Sequence, residues 1–195
     1  RHWNGPKLLV CGDLHHGPLP IETLRKYQQK EFHDSVVLVF NPMLLEEVKA
    51  QLNVTVHSNP PGFFSYPKRN RNYSGIKSLL HIGSLGPHHP KRREIVESLL
   101  NRKNIPLFHT TTKTSEEAAD LYMQYSLVLN IPLNNDLNHR FFEVIASGSP
   151  QVIYGKKELL GKLQHLGNRP GIYWADSIEK LEELVLLLLN NPEKL

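Results

Sequence analysis

Short apolar runs, many of them β-branched, alternate with amphipathic segments of helical length along the whole chain. This alternation restricts the fold more than any other feature. Residues 7–11, 36–40, 78–82, 106–109, 127–131, 151–154 and 172–174 read as strands, and 21–29, 44–52, 91–101, 115–125, 138–147, 156–166 and 177–190 as helices. Strands this short, separated by helices of about ten residues, pair in parallel through right-handed crossovers. The expected class is therefore α/β, with Rossmann-like parallel sheets and helices on both faces. A Pro-rich and basic stretch at 59–74 interrupts the alternation and is the best linker. It sets the expected boundaries: one unit with its linker over 1–73, and a second over 74–195.

Bulk properties exclude several function classes. The single cysteine, Cys11, allows no internal disulfide and fits a reducing, cytoplasmic setting. No apolar run approaches the ~20 residues of a membrane span, and 185–189 belongs to an amphipathic helix. No signal peptide is visible at Arg1 and beyond. The net charge of +4 is spread among both signs, with compact basic clusters only at 68–71 and 91–93, which argues against a dedicated nucleic-acid binder. We find no internal repeat.

The chemistry concentrates in NIPLNNDLNHRFFEVIASGSP, residues 130–150. A strand enters a polar loop, and a short helix follows, stopping at Gly148 and Pro150. Phe141, Val144 and Ile145 give the helix an apolar stripe, and Asn138 or Asp136 can cap its start. A helix that begins just after a parallel strand presents backbone N–H groups and a positive dipole end to a phosphate. Arg140 and Glu143, three residues apart, share a face near that start. A carboxylate there can hold a vicinal diol such as a ribose. An ordinary surface ion pair is the alternative.

Lys91, Arg92 and Arg93 open another helix, where cations oppose the macrodipole and a bound anion would offset the cost. Gly83 and Gly86 precede it and would let a ligand approach the backbone closely. GDLHHG at 12–17 places Asp13 and His15 in an Asp-x-His arrangement that could begin a metallophosphoesterase site. The further Asp, Asn-His and His ligands are missing downstream, so a strand-to-helix turn is the better reading. His88 and His89 have no second ligand pair and read as surface groups.

RFFEVIASGSPQVI resembles the donor-site motif of group 1 glycosyltransferases of GT-B fold, in particular the spore-maturation-protein-like branch. LLHIGSLGPHHPKRREIVESLL is similar to the first strand–loop–helix of that family's donor domain, and SEEAADLYMQYSLVLNI to the helix and strand before the glutamate motif. LLVCGDLHHGPLPIETLRKYQ, FHDSVVLVFNP and NPPGFF resemble the end of the acceptor-side domain and the exit from it. Many relatives carry two glutamates separated by seven intervening residues; here Glu143 fills the second position and Asn135 stands at the first.

The resemblance implies transfer of a sugar from a nucleoside diphosphate sugar to an acceptor hydroxyl, without a metal or other cofactor. Neither the acceptor, the base nor the sugar follows from it. It implies Arg140 and Glu143 as catalytic residues, with Gly83, Ser84, Arg92, Arg93, Asn138, His139, Arg140 and Glu143 binding the donor. Basic side chains and helix N–H groups would stabilise the leaving diphosphate, and Glu143 would hold the ribose. A complete GT-B enzyme needs about twice this length. The chain is thus expected to be the donor-binding part of a longer protein, with any general base elsewhere. The alternative is a degenerate, non-catalytic GT-B module that binds a nucleotide or a protein.

Overall fold

The structure, a computed structural model, describes residues 4–12, 14, 19–58, 75–87, 89–133 and 137–195. The expected linker, Asp13, His15, His88, Asn135 and Asp136 lie outside the described residues.

Two wholly parallel sheets are present. The first has three strands in the order β1 (Leu8–Cys11), β2 (Ser35–Leu38) and β3 (Thr55–Ser58). Helices α1 (Pro20–Lys30) and α2 (Leu45–Gln51) cover one face, burying Leu24 and Val48 against Val36, Leu38 and Val56. On β1 the alternate residues Leu8 and Val10 point away from this core and are exposed.

The second sheet has five strands: β4 (Ile76–Ile82), β5 (Leu107–Thr110), β6 (Tyr125–Asn130), β7 (Gln151–Tyr154) and β8 (Ile172–Ala175), ordered β5-β4-β6-β7-β8. Helices α3 (Pro90–Leu100) and α6 (Ile178–Asn190) pack on one face, where Ile95, Leu99, Val185 and Leu189 meet Leu79 and Leu129. Helices α4 (Ser115–Gln124) and α5 (His139–Ala146) cover the other, where Tyr122 and Val144 meet Leu80, Ile82 and Val128. A strand covered on both faces reads as a continuous apolar run rather than an alternation. LVL in β6 does so, with Leu127, Val128 and Leu129 all fully buried. Side-chain caps fix the helix starts: Thr114 accepts from the N–H of Glu117 and Ser177 from that of Lys180.

The α/β expectation holds, with two local corrections. Thr55–Ser58 forms a strand where none is expected. The expected helix at 156–166 is a 3-10 stretch, Lys157–Asn168, broken at Gly161 (φ 49°, ψ −119°). An ideal Cβ at Gly161 would stand 3.2 Å from Cβ of Pro42, so the break sits where the segment packs against the turn after β2. Elsewhere the segment after β2 meets the start of α5, where the backbone N–H of Leu137 donates to the carbonyl of Phe40 (2.6 Å) and the rings of Phe40 and His139 pack 4.2 Å apart.

Candidate functional site

The chain leaves β4 for β5, then returns across β4 to β6. The carboxyl ends of β4 and β6 therefore flank the point where the order reverses, the usual location of a ligand crevice in an open α/β sheet. Arg92, in the first turn of α3, spans the two. One terminal nitrogen lies 3.4 Å from the carbonyl of Ser84 and the other 3.5 Å from that of Ile131. Arg93 turns aside and donates from Nε to the carbonyl of Leu85 (2.7 Å), which ties down the loop after β4. Backbone carbonyls thus receive the charge of both arginines, lowering the cost of cations at a helix start.

Helix α5 supplies the other side. Asn138 caps it, its Oδ1 accepting from the N–H of Phe141 (3.2 Å) while its Nδ2 donates to Oδ1 of Asn130 (2.9 Å). The amide of Asn130 donates to Oε1 of Gln151 (3.4 Å), whose Nε2 donates to the carbonyl of Phe141 (2.9 Å). This partly buried chain of amides clamps the helix start to the ends of β6 and β7. The sequence reading missed Asn130 and Gln151. Polar residues inside otherwise apolar strand ends were the signal that could have found them.

Arg140 reaches over the β4 loop. An ideal Cβ on Gly83 would lie 3.2 and 3.3 Å from its two terminal nitrogens, so only the bare glycine backbone leaves the guanidinium there without displacement. Nε of Arg140 is buried with no hydrogen-bond partner among the described residues. Glu143 faces α4, where the Tyr122 hydroxyl interacts with both it and Arg140, and no direct ion pair joins Arg140 to Glu143. The hydroxyl of Tyr122, a residue only 1% exposed, donates to Oε2 of Glu143 at 3.4 Å. Burial pushes the Tyr122 phenol up to about 12, with the Glu143 carboxylate adding to this and the Arg140 guanidinium opposing it. Tyr122 therefore remains a donor at any ordinary pH. His139 is exposed yet packed on Phe40, and burial lowers its pKa.

The structure thus brings Gly83, Ser84, Arg92, Arg140 and the Asn138 cap to the carboxyl ends of β4 and β6, where a crevice at the switch point would lie. Arg93 and His139 lie at its margins, and Glu143 sits behind Arg140 against Tyr122. A cavity of about 520 Å³ opens beside them, lined by Met43, Lys91, Leu133, Tyr154, Lys156 and Asp176 among others. None of the eight expected residues lines it. We take the crevice rather than the cavity as the candidate site, because the crevice collects the cations at the switch point. Among the described residues no three His, Cys, Asp or Glu side chains converge to hold a metal, and no helix is long and apolar enough to cross a membrane.

Beneath Gly83 lies His81, fully buried, its Nδ1 3.0 Å from Nδ1 of His109 on β5. Burial holds its pKa down to about 2, reinforced by Arg140, His109 and Arg92. In the unfolded chain it would titrate near 6.5. The unfolded state therefore binds more protons between those values, and stability falls as pH drops through 6.5. This single group should cost roughly 1–2 kcal/mol between pH 6.5 and 5. Urea titrations at those two pH values should show that loss, and His81→Phe should flatten it.

Comparison with known proteins bears on the fold. No protein family's sequence profile matches the chain, and no curated protein matches it by sequence. Among solved structures, TarM matches with a TM-score of 0.68 at 14% identity over 99% of this chain and 45% of that one. The fold is GT-B-like. The glycosylation associate protein (Gap123) complex from Streptococcus agalactiae matches with a TM-score of 0.52 at 12% identity over 97% of this chain and 45% of that one. This chain spans a little under half the length of each.

Proposed function

We propose that the chain is the donor-binding part of a glycosyltransferase, with residues 74–195 forming the unit that holds a nucleoside diphosphate sugar. The observation that carries this reading is the pair of guanidiniums at the switch point: Arg92 between the ends of β4 and β6, and Arg140 over Gly83. Likeness in fold to TarM, a glycosyltransferase, supports it. As the glycosidic bond breaks, negative charge accumulates on the departing diphosphate. Arg140, Arg92 and the N-terminal N–H groups of α5 are fixed dipoles and charges aimed at one crevice, and preorganised donors need no rearrangement as that charge develops. Gly83 and Ser84 let the ligand approach the backbone. Glu143, held by Tyr122, would accept from ribose hydroxyls. The acceptor would enter from outside this unit.

Calorimetry with UDP, GDP, ADP and their sugar conjugates, with and without EDTA, tests the proposal. Binding by at least one member, unchanged by chelation, is expected. No heat from any of them would count against a donor site, and strict dependence on a divalent ion would turn attention to Asp13 and His15.

Glu143→Gln keeps the shape of the side chain but removes its charge. Charge-assisted hydrogen bonds are worth about 1.5–3 kcal/mol, so affinity for the bound nucleotide should fall by one to two orders of magnitude. A 2′,3′-dideoxy nucleotide should bind parent and variant equally. Equal loss for both ligands would place Glu143 outside the ribose contact.

A second reading is favoured by the likeness to the glycosylation associate protein complex. In it the unit binds a nucleotide or a protein without catalysing transfer. Donor hydrolysis or transfer by the full-length protein separates the two: turnover supports the enzyme, and binding without turnover supports the module.

A further inference from the structure

Beneath the crevice, the His81–His109 pair is left unused by the proposed donor contacts. His81 is 0% exposed, and its Nε2 has no hydrogen-bond partner among the described residues, a costly state for a buried polar atom. Its Nδ1 is committed to His109. Cε1, the ring carbon between those nitrogens, lies 3.4 Å from an ideal Cβ on Gly83, a point also 3.2 and 3.3 Å from the guanidinium of Arg140. The orphaned edge of the imidazole therefore borders the place where Arg140 crosses the loop. The charged and titratable groups facing it are Arg140 from α5, His109 from β5 and Arg92 from α3.

We propose that His81 and His109 form a tautomer relay under the anion site, through which His81 presents Nε2–H to an oxyanion held by Arg140 and Arg92. Two neutral imidazoles joined through their Nδ1 atoms share one proton between those atoms, so their Nε2 atoms carry opposite protonation. With the crevice empty, the positive field of Arg140 favours a lone pair on Nε2 of His81. Then His81 donates from Nδ1, and His109 carries its one N–H proton on Nε2. An oxyanion beside Arg140 reverses the field. His81 gains on Nε2 a proton from the water that the anion displaces and passes its Nδ1 proton to His109, and half-buried His109, on the edge strand, releases its Nε2 proton to solvent, where it neutralises the hydroxide left behind. One proton enters at the ligand end and one leaves at the other. His81 stays neutral throughout, which suits a ring whose charged form burial strongly disfavours.

This inference rests on the proposed anion site, and the test separates the two. Protein labelled with ¹⁵N in histidine is titrated with inorganic pyrophosphate. Binding is followed by calorimetry and the imidazole nitrogens by long-range ¹H–¹⁵N spectra. Expected are binding, protonation of His81 at Nε2 on saturation, and protonation of His109 at Nδ1. His81→Phe keeps the ring shape and should weaken pyrophosphate about tenfold, the loss of one hydrogen bond to a charged group. His109→Phe should leave His81 without a relay partner and abolish the tautomer change. Pyrophosphate that binds with His81 unprotonated at Nε2, or binds His81→Phe as tightly as the parent, overturns the relay alone. No binding at all overturns the relay together with the anion site beneath which it lies.

Discussion

Phe141→Ala should lower stability by about 3–5 kcal/mol, the usual cost of emptying a large aromatic site in a packed core. Phe141 is fully buried among Leu137, Ile153 and Leu160, with Phe142 edge-on at 5.1 Å and Trp174 at 6.4 Å. Its helix has eight residues, too few to persist in water without tertiary packing. The backbone clamps through Asn138 and Gln151 survive the substitution, so the loss reports side-chain packing alone. Urea unfolding with an unchanged m-value measures it, and a domain of this size should melt roughly 6–20 °C lower. Phe141→Leu refills most of the space and should cost far less. A loss below ~1 kcal/mol for the alanine variant would mean that α5 is held by something other than this ring. The site geometry would then need another explanation.

Much of this arrangement was legible in the sequence because the forces involved are local. Phe141, Val144 and Ile145 sit at helical spacing, and the run Leu127–Val128–Leu129 could be buried on both faces of a sheet. Strand β3 was not legible. It lies at the edge of its sheet and buries only Val56 of four residues, so its pattern offers no alternation to detect. The kink at Gly161 depends on Pro42, more than a hundred residues away in sequence, and no local rule reports such a contact. At the site, capping chemistry identified Asn138. The sequence left Arg140 and Glu143 as an alternative surface pair; the fold instead lays Arg140 over Gly83 and turns both side chains to the buried hydroxyl of Tyr122. The residues that decide this, Tyr122 and His81, look like ordinary core positions until the strand order places them under the crevice. Chain order alone could not give that strand order.

The largest effect on ligand binding should come from removing both guanidiniums. Arg140→Ala and Arg92→Ala each delete donors to a charged group worth about 1.5–3 kcal/mol, or ten- to a hundredfold in affinity for a nucleoside diphosphate. The double variant should lose less than the product of the two. Both cations act on one ligand, and neighbouring sites that share a partner are not additive. Affinity for the corresponding nucleoside should barely move, because it carries no charge for either arginine to meet. Arg140→Lys tests geometry separately from charge. Lysine keeps the positive charge but not the planar fork, so it should recover part of the affinity, not all of it. Salt supplies an independent check: diphosphate binding by the parent should weaken between low and physiological ionic strength, and binding by the double variant much less. Calorimetry of the four proteins with one diphosphate and its nucleoside covers these comparisons. A double variant that binds the diphosphate like the parent would remove Arg92 and Arg140 from the site. The cavity beside Lys91 and Lys156, where cations also face strand ends, would then become the place to look for the phosphate.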